Sequence, residues 1–166
     1  LGYFGAATSL MYAGNVLNVA LGTATTPALA RLHRAGRRPL RRLLARLLVV
    51  VGGLGGAVVL VALLWGARYL ALVYGPTYSH YAPELVLATI AAALAGLANM
   101  LSQTLTAMGR FETQLSINAL SLVASILIGL WLIPDGGLRG AAWALVGLAT
   151  TRLGIYGVAV LRSPPA

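Results

Sequence analysis

Long continuous apolar runs fill most of the chain, separated by short polar connections, and none of the runs alternates with the period of two that a barrel strand requires. About 20 apolar residues carry a helix across the hydrocarbon core of a bilayer. Five stretches meet that length, over residues 6–30, 47–71, 85–108, 115–133 and 141–161. The pattern predicts an all-α fold, a polytopic membrane helix bundle of five transmembrane helices in a single membrane domain over residues 1–166. The chain opens at Leu1 without an initiator Met, close to an apolar run and without the basic n-region of a signal peptide. The expectation is a piece of a longer polytopic protein.

Composition sharpens this reading. Only 9% of the 166 residues are charged and 59% are hydrophobic, whereas soluble domains carry roughly a quarter charged residues. The formal charge of +9 would point to nucleic acid in a soluble protein, but a mean hydropathy of +0.86 points to lipid, and no nucleic-acid partner is expected. All twelve basic residues are Arg. With no Cys, and with His33 and His80 far apart in sequence, neither thiolate chemistry nor a metal site is expected.

The Arg positions give an orientation. Arg31, Arg34, Arg37, Arg38, Arg41, Arg42 and Arg46 crowd the first connection, and Arg110 and Arg162 fall on the same side of the bundle. Arg68 and Arg139 fall on the other. The positive-inside rule therefore makes the Arg-rich side cytoplasmic, with Leu1 outside and Ala166 inside. Gly36 can end the first helix, and Pro39 suits the first turn of the second. Arg41, Arg42 and Arg46 then lie near a helix N-terminus, where the macrodipole disfavours positive charge. Anionic lipid headgroups are the expected partners that offset this cost. A plain topogenic loop is the simpler reading of the same seven residues. Trp65, Tyr69, Tyr74, Tyr78, Tyr81, Trp131 and Trp143 gather toward the opposite interface, where amphipathic rings prefer to sit.

Polar side chains within the spans form stripes at helical spacing. Span one aligns Thr8, Asn15, Asn18, Gly22, Thr25 and Thr26. Span three aligns Asn99, Ser102, Gln103 and Thr106, and span four aligns Gln114, Asn118, Ser121 and Ser125. Pointing an amide at hydrocarbon is costly, so these stripes should face protein or water. They serve either as interhelical glue or as the lining of a hydrated cavity. Asn15, Asn18, Asn99, Gln103 and Asn118 are the cavity-lining candidates. Gly52 and Gly56 form a small-xxx-small pair suited to close helix approach.

Catalytic machinery is not expected. Glu84, Glu112 and Asp135 all sit at span edges, so no carboxylate pair exists for acid–base work. His80 and Glu84 read as ordinary outer-loop residues. The absence of Lys excludes a P-loop in this segment. No cofactor is expected.

Several local patterns together resemble a known family. GYFGAATSL opening a span and TPALARLHRAGRRPLRRLLAR after it resemble the helix and basic loop of bacterial polysaccharide flippases. LALVYGPTYSHYAPELVL resembles their outer turn, LSQTLTAMGRF their "L-x-A-x-G-R" turn, and LIPDGGLRGAAWA their "L-I-P-x-x-G-x-x-G-A-A" connection. The resemblance is to the polysaccharide transporter branch of the multidrug/oligosaccharidyl-lipid/polysaccharide flippase superfamily, and it covers nearly the whole chain. It implies two lobes of six helices around a cavity, of which this chain would be most of the C-terminal lobe, without that lobe's first helix. It further implies translocation of undecaprenyl-diphosphate-linked oligosaccharide across a bacterial cytoplasmic membrane by alternating access. The implied partners are the lipid-linked oligosaccharide and the N-terminal half of the same protein. A multidrug or lipid II exporter of the same superfamily, and a membrane-embedded transferase, are the alternatives.

Arg152 is the remaining outlier. It sits near the middle of span five, where an Arg costs about 2.5–3.5 kcal/mol on insertion scales. It must find an anion, carbonyls or water inside the bundle. Under the resemblance it would face the cavity and bind the lipid diphosphate, for which a planar fork is suited. A structural ion pair or carbonyl clamp is the competing role.

Overall fold

A computed structural model describes residues 22, 24, 25, 27–32 and 36–162 of the chain. Its elements are helical residues 27–32 (α1), α2 (Arg37–Tyr74), a 3-10 turn (Pro76–Tyr81) and α3 (Ala82–Ala107). A long helical stretch Phe111–Arg162 follows, broken at Gly137 with φ 51° and ψ −131°. It is two helices, α4 (Phe111–Leu132) and α5 (Arg139–Arg162). The described residues contain no strand. Four of their helical segments are long and apolar enough to cross a membrane. The protein is an all-α helical bundle built for a membrane. Most of the first expected span, including Asn15 and Asn18, lies outside the described residues.

The second helix is longer than its apolar run. The apolar run begins near residue 47, but α2 itself begins at Arg37, with Gly36 as its N-cap and Pro39 in its first turn, as the Gly36 and Pro39 signals suggest. At about 1.5 Å per residue, its 38 residues reach well beyond a core of about 30 Å. The physical reason is the composition of its first three turns. Arg, Leu and Ala are strong helix formers, and they are arranged amphipathically. Leu40 and Leu44 are buried while Arg38, Arg41, Arg42 and Arg46 are exposed. Arg31 is exposed on α1; Arg34 lies outside the described residues, as does the Arg37 side chain. The Arg-rich segment is therefore mostly a basic helical extension.

Helix α3 is the centre of the bundle. It holds many buried residues, among them Leu85, Ala88, Ala91, Ala98, Leu101 and Leu105, and it packs against α2 on one side and the α4–α5 stretch on the other. One core cluster joins all four long helices: Leu44 from α2, Ala98, Leu101 and Leu105 from α3, Ile117 from α4 and Tyr156 from α5. The remaining faces of α2 and α4 display large apolar side chains such as Leu63, Leu72, Leu122 and Leu130, as expected of surface that meets lipid tails.

The turn from α3 to α4 is set by local chemistry. The Gly109 N–H donates to the Thr106 carbonyl and the Arg110 N–H to the Leu105 carbonyl, both at 3.0 Å. With Gly109 at φ 73°, this is a Schellman ending that needs a residue tolerant of the left-handed region. A polar lock closes the hairpin. The Gln114 amide donates to Ser102 Oγ at 2.8 Å, and Thr106 Oγ1 donates to Gln114 Oε1 at 2.9 Å. Here the stripes of α3 and α4 meet each other directly.

Close approach of α2 and α3 depends on a glycine other than the expected pair. A Cβ at Gly55 would lie 2.8 Å from Ala93 Cβ and 3.2 Å from its Cα, whereas among the described residues a Cβ at Gly56 would meet nothing within 4 Å and one at Gly52 would meet Leu97 at 3.7 Å. Gly55→Leu is expected to destabilise the bundle by about 1–3 kcal/mol through overpacking. Gly56→Leu, on an open face, is expected to be neutral or slightly stabilising through helix propensity. Detergent unfolding of the two variants, followed by circular dichroism, checks the contrast.

Candidate functional site

Three side chains on α4 and α5 converge across the seam between these helices. Asn118 lies two turns into α4. Arg152 and Tyr156 are one turn apart on α5, on a shared face. The Tyr156 hydroxyl donates to Asn118 Oδ1 at 2.7 Å, and Arg152 Nη2 donates to the same oxygen at 3.4 Å. The Arg152 guanidinium carbon stands 5.9 Å from the centroid of the Tyr156 ring, within the range of a cation–π contact. Tyr156 is wholly buried in the core cluster, while Asn118 is exposed and Arg152 half-buried.

The arrangement follows from the antiparallel course of the two helices. Residue 118 is seven positions from the start of α4, and residue 152 is ten from the end of α5. At about 1.5 Å per residue, the two sit at comparable depths below the same end of the bundle. The core anchors Tyr156, Tyr156 orients the Asn118 carbonyl, and ring and carbonyl together hold the guanidinium.

The electrostatics set Arg152 apart from an ordinary structural Arg. Its partners are a neutral carbonyl and an aromatic face, which orient the charge without neutralising it. Among the described residues no carboxylate pairs with it, and its Nε is buried without a hydrogen-bond partner. Bidentate recognition of an oxyanion uses two N–H groups of this planar fork. The group is suited to bind an anionic oxygen.

Other expected cavity residues are placed differently. Asn99 and Gln103 are half-buried on α3, and each is engaged by a neighbour. Gln103 lies against Gly22, whose Cβ, if present, would meet Gln103 Cγ at 3.0 Å. At that level the stripes of the first segment and α3 face one another. Several hydroxyls are satisfied within their own helix: Ser121 donates to the Ile117 carbonyl at 2.7 Å and Thr104 to the Met100 carbonyl at 2.9 Å. Such hydroxyls need no partner outside their own helix.

Tyr156 is absent from the residues expected at the site. Its spacing of four from Arg152 does place the two on one polar face of the span in the sequence, but nothing along the chain shows that the ring and the guanidinium share a partner on α4. Among the described residues no group of His, Cys, Asp and Glu could hold a metal ion. The class defined by this fold is a membrane-embedded α-helical bundle. No protein-family model matches the chain, and no curated protein or solved structure matches it either.

Proposed function

We propose that this protein takes part in translocating a lipid-linked, diphosphate-bearing oligosaccharide across a bacterial cytoplasmic membrane by alternating access. The observation that carries the reading is Arg152, an intramembrane guanidinium oriented by Asn118 and Tyr156 but neutralised by neither. At membrane depth such a charge is met by an anion, by carbonyls or by water, and of these only an anion neutralises it. A diphosphate on a polyprenyl tail brings that anion to the site from within the bilayer, and a guanidinium fork matches its oxygens. The motif resemblance supplies the substrate class, and the all-helical architecture agrees with it. Alternating access requires a second set of helices facing the α4–α5 seam, so the chain acts as part of a two-lobed assembly. The test is reconstitution of the complete transporter in vesicles with a fluorescent undecaprenyl-diphosphate sugar in one leaflet. Accelerated exchange between leaflets supports the reading; exchange no faster than in protein-free vesicles overturns it.

The orientation that accompanies this function places the basic extension of α2 in the cytoplasm. Reporter fusions after Gly36 and Gly109 are expected to read cytoplasmic, and fusions near Pro76 and Gly136 external. The reverse pattern in a paired phosphatase and fluorescent-protein assay overturns the assignment.

A further inference from the structure

At the end of the bundle opposite the Arg-rich extension, a cleft of about 680 Å³ opens between the last turns of α2, the first turns of α3 and the start of α5. Its size lies in the range of small-ligand sites. Arg68 from α2 and Arg139 from α5 both line it, beside Trp143, and its floor is apolar, with Leu63, Pro83 and Val86. These are the two Arg residues that the orientation argument leaves on the minority side. Far apart in sequence, they are brought to one cleft by the fold. Both are exposed, and among the described residues neither has a carboxylate partner. Glu84 belongs to the same first turn of α3 but is not among the residues lining the cleft.

We propose that this cleft is a binding site for the phosphate of an anionic phospholipid in the leaflet at that end of the bundle, with the start of its acyl chain against the apolar floor. Three features combine to favour that occupant. Two guanidiniums complement a phosphate diester and strongly prefer it to a zwitterionic headgroup, whose own cation they repel. The apolar floor suits a tail and offers nothing to a hydrophilic anion. Trp143 occupies the interfacial position where an indole meets headgroup and chain together. The site is separate from the Arg152 group and does not depend on transport.

Trp143 provides the readout. In the full protein with every Trp other than Trp143 changed to Phe, Trp65 and Trp131 with their exposed indoles among them, bromine on lipid acyl chains quenches Trp143 when that lipid occupies the cleft. Vesicles of phosphatidylcholine containing brominated phosphatidylglycerol are compared with vesicles containing brominated phosphatidylcholine at the same bromine content. The expected result is a preference for phosphatidylglycerol on the order of tenfold. It is lost in Arg68→Gln/Arg139→Gln and kept in Arg68→Lys/Arg139→Lys. Equal quenching by the two lipids overturns the proposal, as does a preference that survives the double Gln change. Loss of the preference in millimolar inorganic phosphate at constant ionic strength assigns the cleft to soluble phosphate and overturns the lipid reading. Should the double Gln variant fail to fold, the lipid comparison and the phosphate competition on the unchanged cleft still decide.

Discussion

Under the proposed function, Arg152→Gln is expected to abolish export of lipid-linked sugar per molecule of folded protein, while Arg152→Lys retains part of it. A hydrogen bond to a charged group is worth about 1.5–3 kcal/mol, so losing the charged fork from one oxyanion contact corresponds to roughly 10- to 150-fold. Two contacts to a diphosphate multiply that loss. The structure explains why the protein itself should survive the Gln change. The Tyr156 hydroxyl holds Asn118 at 2.7 Å without help from Arg152, so the α4–α5 seam keeps its stronger bond. Lys keeps the charge but loses the fork, hence partial activity. Export is measured against the amount of folded protein in the membrane. If both variants lose folded protein, Arg152 is a structural cation paired with an acid elsewhere in the assembly. Full export by Arg152→Gln removes the residue from the mechanism.

Tyr156→Ala is expected to be the most destabilising single change in the described core. Truncating a large buried aromatic costs about 3–5 kcal/mol in soluble cores. Part of that figure is transfer from water, which does not drive helix association in lipid. The packing that remains, together with the lost hydroxyl bond, leaves an expected loss of about 2–3 kcal/mol. Tyr156→Phe isolates the bond to Asn118 and should cost about 0.6 kcal/mol, with an upper bound near 1.7. Val158→Ala, on an exposed face of the same helix, should stay within about 0.5 kcal/mol. Unfolding in mixed detergent micelles gives all three values. A Tyr156→Ala variant as stable as Val158→Ala would show that the core cluster does not hold α5 in place. The same Tyr156→Phe change bears on the site, because it frees the Asn118 carbonyl that orients Arg152. A lower apparent affinity for the lipid-linked substrate with an unchanged amount of folded protein is the expected signature of that positioning role.

Much of the architecture was legible along the chain, for identifiable reasons. A bilayer demands long apolar helices because backbone polar groups have no other partners there, so uninterrupted apolar runs mark the spans almost directly. The turns were equally plain. Gly109 after LTAM ends α3 in a Schellman geometry, and Pro134 to Gly137 interrupts α4 and α5. Gly36 and Pro39 marked the start of α2, while the apolar run, beginning near residue 47, did not show that the Arg-rich turns pack: Leu40 and Leu44 are buried there at the spacing of one helical face. The glycine contact was misassigned. Gly52 and Gly56 match a familiar spacing, but the rotation of α2 against α3 brings Gly55 onto Ala93.

The sequence by itself determined the class of the fold, the number and approximate ends of the described spans, and the presence of one Arg that lipid alone would not tolerate. Its apolar pattern reports which segments leave water, and that information is strong. The same pattern is nearly silent on which faces meet, because in a bilayer the outside of a helix is as apolar as its packed side. Only the tertiary structure decided that Asn118 meets Arg152 and Tyr156 across 34 and 38 residues of chain. It likewise decided that Ser102 and Thr106 are locked to Gln114, and that Arg68 and Arg139 share one cleft. Those meetings depend on helix rotation and crossing, which are set by the shapes of Gly55, Ala93, Leu101, Leu105 and Tyr156 in contact. Shape complementarity of that kind exists only once the helices are side by side.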